Sequence, residues 1–297
     1  MKPPAFRYHA PRTVGEALDT LAEVGGDGKV LAGGQSLIPV MNMRLASPGH
    51  LVDIGGVEGL DEVVVTADGV RVGAMVRHRT LERHEEAHRR NPLLRQALSH
   101  VAHPVIRNRG TTVGSIAHAD PAGEMPAVLA VLGGHVTVAS VRGTRDVDAA
   151  DFFQGPLQSS AAPDELVTGV SFPHPGARGG TAFEELARRH GDYAIAGVAV
   201  VVILDEDGRT ASARAAFTGV GDVPIVVDLT DACVGAVPDD GIGSPDAVEL
   251  ARGAIAPESD IHATAAYRRH LAGVLLGRGL AAAGRRAVAG AEGGTRP

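Results

Sequence analysis

The hexapeptide LAGGQS, Leu31 to Ser36, places two adjacent glycines and two hydrogen-bonding side chains directly after a short run that predicts a strand. Glycine inside regular structure costs about 0.5–1 kcal/mol, so a glycine pair here indicates that a bare backbone is needed. Without a Cβ, successive backbone N–H groups can form an anion-binding concavity. Ligands of α/β sheets bind beyond the carboxyl ends of strands, where this loop stands. The hexapeptide therefore predicts an α/β arrangement with an anion-binding loop at a strand end.

A second polar loop that contains glycines lies in the stretch RNRGTTVGSIAHADPAGEMPAVLAVLGG, Arg107 to Gly134. The side chains that would add hydrogen-bond donors in the two loops are Gln35, Ser36, Thr111, Thr112 and Ser115. A diphosphate has enough oxygen atoms to occupy both loops, and Glu124 could accept hydrogen bonds from sugar hydroxyl groups. The alternative is that both loops are ordinary turns, because 39 of the 297 residues are glycine. The residues alone leave both interpretations open.

Hydrophobic periodicity and local signals predict helices and strands along the whole chain. Thr13 and Glu16 form a capping box that opens a helix, and Gly25–Gly26 ends it. The pair Asn91–Pro92 predicts the N-cap and the first residue of another helix. Proline and glycine cluster at Pro173–Gly180, which predicts a domain boundary.

The part of the chain beyond this boundary begins with strands and continues with helices. The strand-like runs are Thr181–Ala187, Ala194–Leu204 and Ala211–Val220, and helices are predicted near Pro224–Cys233, Pro245–Ala254 and Ala263–Ala289. We therefore predict an α+β (α/β) protein with one domain over residues 1–176, a second over 177–289 and a tail over 290–297.

Composition excludes several classes of function. The formal net charge of −7 argues against a nucleic acid or an anionic membrane as partner, since both favour a basic surface. The single cysteine, Cys233, excludes an internal disulfide and an iron–sulfur cluster, which needs several thiolates. The N-terminus lacks the apolar run of a secretory signal, and the longest apolar run, Tyr193–Leu204, is too short to span a bilayer. We expect a cytoplasmic protein without a transmembrane segment.

One motif suggests a metal site. The stretch HEEAH, His84 to His88, matches the zinc-protease pattern H-E-x-x-H. Its neighbours are charged on every side, whereas the zinc motif needs an apolar face behind it, so we interpret it as a solvated helix end. We expect neither a metal site nor a catalytic side chain in this chain.

Four stretches of the sequence, in order and spread over nearly the whole chain, resemble one family. They are VLAGGQSLIPVMNMRLASPGHLVDI from Val30, IRNRGTTVGSIAHADPAGEMPAVLAVLG from Ile106, RRHGDYAIAGVA from Arg188 and SDIHATAAYRRHLAGVLL from Ser259. The sequence is similar to the FAD-binding medium subunit of molybdenum hydroxylases of the carbon monoxide dehydrogenase and xanthine dehydrogenase type.

The resemblance implies a fold and a set of cofactor contacts. It implies a two-part FAD-binding domain of the PCMH type, with subdomains over about 1–55 and 56–176, followed by a domain with a three-stranded antiparallel sheet and helices. The residues that it implies around FAD are Leu31, Ala32, Gly33, Gly34, Gln35, Ser36, Thr111, Thr112, Val113, Gly114, Ser115, His118, Glu124, Asp192 and Tyr193. The two loops would hold the diphosphate, Glu124 a hydroxyl group of FAD, and Asp192 and Tyr193 would lie beside the isoalloxazine.

The resemblance also implies partner subunits. A large subunit would carry molybdopterin and oxidise the substrate, and a small subunit would relay electrons through two [2Fe–2S] clusters to the flavin of this chain, in a dimer of heterotrimers. Two alternatives stay open: a self-sufficient flavin oxidase, and a non-catalytic module that binds another diphosphate. The substrate and the electron acceptor are not determined by this chain's sequence.

One residue departs from the family pattern. Val113 stands where relatives commonly carry a glycine, and a β-branched residue disfavours a positive φ. The second loop must therefore either use ordinary backbone angles there or stand further from the phosphate.

Overall fold

The computed structural model describes residues 1–238 and 245–293. The first part of the chain forms a small parallel sheet with two helices. Its elements are β1 (Arg7–His9), α1 (Val14–Val24), β2 (Gly28–Leu31), α2 (Leu37–Asn42) and β3 (His50–Asp53), and the strand order is β1-β3-β2. The predicted Thr13 cap is confirmed, because Thr13 Oγ1 accepts from the N–H of Glu16 at 3.2 Å. The Glu16 carboxylate accepts from the N–H of Arg12 at 2.7 Å, one residue before the N-cap and not at Thr13 itself.

The next part is an antiparallel five-stranded sheet of order β4-β5-β10-β6-β7, with the helices inserted after β5. Its elements are β4 (Val63–Val65), β5 (Gly69–Gly73), α3 (His78–Glu82), α4 (Glu85–Arg90), α5 (Pro92–Leu98), α6 (Pro104–Arg107), α7 (Thr112–His118), α8 (Glu124–Leu132), β6 (His135–Ser140), β7 (Gly143–Asp148), α9 (Ala149–Phe152), β8 (Phe153–Gly155), β9 (Gln158–Ser159) and β10 (Leu166–Pro173). The short strands β8 and β9 pair with each other.

Asn91 precedes α5, with Pro92 as the first residue of the helix, as predicted. The Asn91 side chain does not cap the helix, however. It is fully buried and its amide donates to the carbonyl oxygen of Pro173 at 3.0 Å, so a tertiary contact replaces the local one.

The last part is a four-stranded antiparallel sheet, of order β11-β12-β13-β14, with three helices among its described residues. Its elements are β11 (Gly179–Ala187), β12 (Ala194–Leu204), β13 (Thr210–Thr218), β14 (Ile225–Asp228), α10 (Thr230–Cys233), α11 (Pro245–Ala254) and α12 (Ala265–Gly293). The three predicted strands are confirmed as antiparallel neighbours, but the predicted helix near Pro224–Cys233 is wrong over its first half. The β-branched run that starts at Ile225 pairs with β13 as a fourth strand, and the helix covers only α10. Residues 294–297 of the predicted tail lie outside the described residues.

The four-stranded sheet lies between two apolar layers, which explains why β12 is apolar throughout. Ala199 and Val201 point into a core shared with the five-stranded sheet and its helices. Val198 and Val200 point into a second core formed with α12. The sheet therefore packs directly on the preceding part of the chain, and the loops at its edge lie next to α8.

Candidate functional site

The first glycine loop, residues 32–36, leaves the end of β2 and leads into α2. Gly34 has φ +71°, a left-handed conformation that favours glycine. The Gln35 side chain donates to the carbonyl oxygen of Gly33 at 3.2 Å and so braces the turn. Among the described residues, the backbone N–H groups of residues 33–36 donate to no protein acceptor. The loop therefore offers consecutive donors, as an anion site requires.

The second loop is the start of α7. The Thr111 hydroxyl caps this helix by accepting from the N–H of Gly114 at 3.1 Å, and the N–H of Ser115 donates to the Thr111 carbonyl oxygen at 3.0 Å. The N–H of Thr112 donates to the carbonyl oxygen of Val76 at 3.2 Å. In this loop the protein itself uses three backbone N–H groups, those of Thr112, Gly114 and Ser115. The N–H groups of Thr111 and Val113 donate to no acceptor in the described part of the chain.

Val113 does not have a positive φ, so its backbone angles are ordinary, and its side chain is buried in the core. The position therefore needs no glycine, because the chain enters a right-handed helix there. The ordinary backbone angles that the sequence analysis allowed at Val113 are thus present.

The two loops are in direct contact at Gly33. A Cβ placed on Gly33 would lie 2.6 Å from the carbonyl oxygen of Arg109, 2.7 Å from the Cα of Gly110 and 3.0 Å from the nitrogen of Thr111. All three are backbone atoms, which cannot turn aside as a side chain can. Gly33 is therefore required for packing of one loop on the other, a role that the sequence did not reveal.

A buried histidine supports the second loop from behind. His78 Nδ1 lies 3.2 Å from the Thr112 hydroxyl oxygen, and the N–H of His78 donates to the carbonyl oxygen of Gly110 at 3.0 Å. Burial lowers the pKa of His78 to about 4, so the ring is neutral at neutral pH. Sequence reasoning missed His78, because no local pattern distinguishes it from other histidines.

His118 and Glu124 stand on either side of the turn that joins α7 to α8. His118 ends α7 and is half-buried, and burial lowers its pKa. Glu124 is the first residue of α8 and is half-buried, and burial raises its pKa to about 7. The sequence predicted a carboxylate acceptor at this position, whereas the structure gives a carboxyl group that is partly protonated near neutral pH.

Asp192 and Tyr193 close the loop between β11 and β12. The Asp192 carboxylate accepts from Arg188 at 3.0 Å and from the N–H of Tyr193 at 3.1 Å. The hydrogen bond from Arg188 keeps the pKa of Asp192 below its usual value. Tyr193 is 72% exposed, so it does not belong to the core.

The strand ends next to Tyr193 are tied to the turn before α8. The N–H of Gly219 donates to the carbonyl oxygen of Pro121 at 2.9 Å. Arg268, from α12, is buried and donates to the carbonyl oxygens of Ile195 and Gly219 at 2.6 and 2.9 Å. A cavity of about 430 Å³ opens here, bordered among others by Asp120, Ala122, Asp192, Tyr193, Asp260 and His262.

The structure thus brings the predicted residues together in two groups. The first is the pair of loops in contact, and the second is Asp192 with Tyr193 beside the turn that leads to Glu124. Among the described residues, no hydrogen bond or ion pair joins the first loop to Asp192 or Tyr193.

In the H-E-x-x-H stretch, His84 has a local structural role. His84 caps α4, since its Nδ1 accepts from the N–H of Ala87 at 3.1 Å. Within residues 1–238 and 245–293, no group of three or more His, Cys, Asp or Glu side chains is arranged to hold a metal ion. In the same residues, none of the helices combines the length and the apolar character that crossing a membrane requires.

Comparison with known families assigns both parts of the chain. The sequence profile described as "FAD binding domain in molybdopterin dehydrogenase" matches residues 4–175. The profile described as "CO dehydrogenase flavoprotein C-terminal domain" matches residues 181–283.

Individual relatives match over almost their full length. The nicotine 6-hydroxylase medium subunit of Paenarthrobacter nicotinovorans is 43% identical, over 96% of this chain and 100% of the relative. The carbon monoxide dehydrogenase medium chain of Afipia carboxidovorans is 35% identical, over 97% of this chain and 99% of the relative. The crystal structure of quinoline 2-oxidoreductase from Pseudomonas putida 86 superposes with a TM-score of 0.91 at 38% identity, over 97% of this chain and 99% of that one. This chain belongs to the family of FAD-binding medium subunits of molybdenum hydroxylases.

Proposed function

We propose that this chain is the FAD-carrying electron-transfer subunit of a heteromeric molybdenum hydroxylase. The observation that carries the proposal is the contact between the two glycine loops, beside which the N–H groups of residues 33–36 have no acceptor in the described part of the chain. Such a concavity fits the diphosphate of FAD, because it offers several consecutive backbone donors. The match of residues 4–175 to an FAD-binding domain supports the same assignment. When bound, FAD supplies the redox chemistry, accepting electrons singly and passing them on in pairs.

The residues of this chain position the cofactor rather than react with it. The residues that would surround FAD are those implied by the family: Leu31, Ala32, Gly33, Gly34, Gln35, Ser36, Thr111, Thr112, Val113, Gly114, Ser115, His118, Glu124, Asp192 and Tyr193. The first loop would supply most of the diphosphate donors, because the second uses three of its N–H groups internally. Exposed Tyr193 and the cavity beside it would leave one side of the site open to an external electron acceptor.

The partners follow from the same family. We propose a small subunit with two [2Fe–2S] clusters as the electron donor and a large molybdopterin subunit as the site of substrate oxidation, in a cytoplasmic dimer of heterotrimers. The single cysteine of this chain, Cys233, is buried in the core against α12, which supports clusters on another polypeptide. We also propose the domain division at residues 176 and 177, within the segment between β10 and β11.

For the substrate of the complex, we propose a nitrogen heterocycle as the first class to test. The support is the higher identity to the nicotine 6-hydroxylase subunit, 43%, than to the carbon monoxide dehydrogenase chain, 35%. Nicotine and quinoline are the probes that the relatives' names suggest.

The test is purification of the chain alone and together with the molybdopterin and iron–sulfur subunits, which are to be sought in the neighbouring reading frames. We expect the isolated chain to bind FAD and turn yellow without oxidising any substrate, and the co-purified complex to reduce its flavin when substrate is added. Turnover by the isolated chain would favour a self-sufficient oxidase. Release of a different diphosphate, identified by mass spectrometry, would favour a binding module.

A further inference from the structure

The residues of β11 alternate between two sides of the four-stranded sheet. Ala182 belongs to the core formed with α12, and the Glu184 side chain lies on that side, against α12. Phe183 belongs to the core shared with the FAD-binding part, and the Thr181 hydroxyl contacts α5 on the same side. Glu185 follows Phe183 by two residues, so its side chain faces the FAD-binding part.

The position of Glu185 on the sheet brings it towards Glu124. Glu185 pairs with Gly197 on β12, and Gly197 pairs with Thr218 on β13. A Cβ on Gly197 would lie 3.5 Å from the Cγ of Glu185 and 2.8 Å from the Cγ2 of Thr218. The Thr218 hydroxyl hydrogen-bonds two carbonyl oxygens of the turn before Glu124, at 2.8 and 3.0 Å. The Glu185 side chain therefore faces the turn that leads to Glu124, across the junction between the parts.

Neither glutamate has a cationic partner within the described residues. The Oε2 atom of Glu185 is buried and accepts no hydrogen bond. Burial raises the pKa of Glu124 and the charge of Arg107 lowers it, but the Arg107 guanidinium already donates hydrogen bonds to Glu82 and to two backbone carbonyl oxygens. Burial and the repulsion between the two negative charges both raise the pKa of such carboxyl groups. Ionisation of both groups at once is therefore disfavoured.

The other ionisable groups near Glu124 and Glu185 do not neutralise the negative charge of these two glutamates. They are Arg107 of α6, His118 of α7, Asp120 in the turn before α8, His100, which contacts Phe183, and Tyr193. Asp120 adds negative charge, and burial lowers the pKa values of His100 and His118. Burial and the nearby charge of Glu124 raise the pKa of Glu185 to about 8.

We propose that Glu124 and Glu185 hold one proton between them from about pH 7 to about pH 8, so that the pair then offers FAD an O–H donor and a single negative charge. The inference rests on the proposed function, since it takes Glu124 as a residue beside FAD. Loss of the shared proton adds a second negative charge next to an anionic cofactor and removes a donor. Retention of FAD therefore weakens as the pH rises.

The experiment is an equilibrium titration of the apo-protein with FAD, followed by flavin fluorescence, from about pH 6 to about pH 9. The dissociation constant of the wild type is expected to stay level below about pH 7 and to rise above about pH 8, with a slope approaching tenfold per pH unit. Glu185→Gln keeps the shape and a donor without the charge. Its dissociation constant should therefore stay level above about pH 8, where only the wild type still loses a proton. The control Glu184→Gln, on the opposite face, should follow the wild type.

The proposal of a shared proton is overturned if the dissociation constant of Glu185→Gln rises above about pH 8 as steeply as that of the wild type. It is also overturned if the dissociation constant of the wild type does not change with pH. Absence of FAD binding at every pH overturns the proposed function instead. If Glu185→Gln does not fold, the inference can still be tested on the wild-type protein alone. Calorimetry of FAD binding near pH 8, in buffers of different ionisation enthalpy, should show uptake of up to one proton, and zero uptake contradicts the inference.

Discussion

The contact between the two loops gives the sharpest prediction, because a single methyl group tests it. In Gly33→Ala the new Cβ would stand 2.6 Å from the carbonyl oxygen of Arg109, whereas ordinary contacts begin at 3.4 Å. The loops must therefore separate by about 0.8 Å, the difference between these two distances. Overpacking of this kind costs about 1–3 kcal/mol. At about 1.4 kcal/mol per factor of ten, FAD affinity should fall by roughly fivefold to 150-fold.

The assay is retention of visible flavin absorbance after gel filtration, followed by titration of the apo-protein with FAD. Gly26→Ala is the matched control, because a Cβ at Gly26 has no atom within 4 Å and its affinity should equal that of the wild type. Thermal unfolding of both variants separates loss of binding from loss of the fold. Wild-type affinity in Gly33→Ala would refute the claim that the loops must touch to bind the cofactor.

Three further predictions follow from the same regions. Gly34→Ala forces a Cβ onto a residue with φ +71°, at a cost of about 1–2 kcal/mol, which should appear both as weaker FAD binding and as a lower melting temperature. Thr111→Val removes the hydroxyl that caps α7 through the N–H of Gly114, and chemical denaturation should show about 1 kcal/mol less stability, whereas an unchanged midpoint would mean that the cap is dispensable. Burial raises the pKa of Glu185 to about 8 in the folded protein, against 4.5 in the unfolded chain. The folded protein therefore binds more protons between these two pH values, and the contribution of Glu185 to the free energy of unfolding is lost as the pH rises through them. The free energy of unfolding of the apo-protein should then fall by up to about 1.4 kcal/mol per pH unit more in the wild type than in Glu185→Gln, and parallel pH profiles would contradict this.

The sequence by itself determined the features that depend on near neighbours in the chain. The capping box at Thr13 and Glu16 and the apolar run of β12 specify a helix start and a buried strand through local hydrogen bonds and hydrophobic pattern. The two glycine loops were recognised in the same way, because glycines next to hydroxyl side chains are a local signal. Family resemblance then supplied the cofactor.

Tertiary structure decided the features that depend on residues far apart in the chain. Three features result from contacts between residues that are far apart in the sequence. They are the packing of Gly33 on the second loop, the hydrogen bond of the Asn91 side chain to Pro173, and the fourth strand at Ile225. The approach of Glu185 to Glu124 is of the same kind, since 60 residues separate them and only the register of β11, β12 and β13 sets which face each side chain takes. Helix and strand signals are local, whereas the position of a side chain within a site is fixed by how the sheets pack.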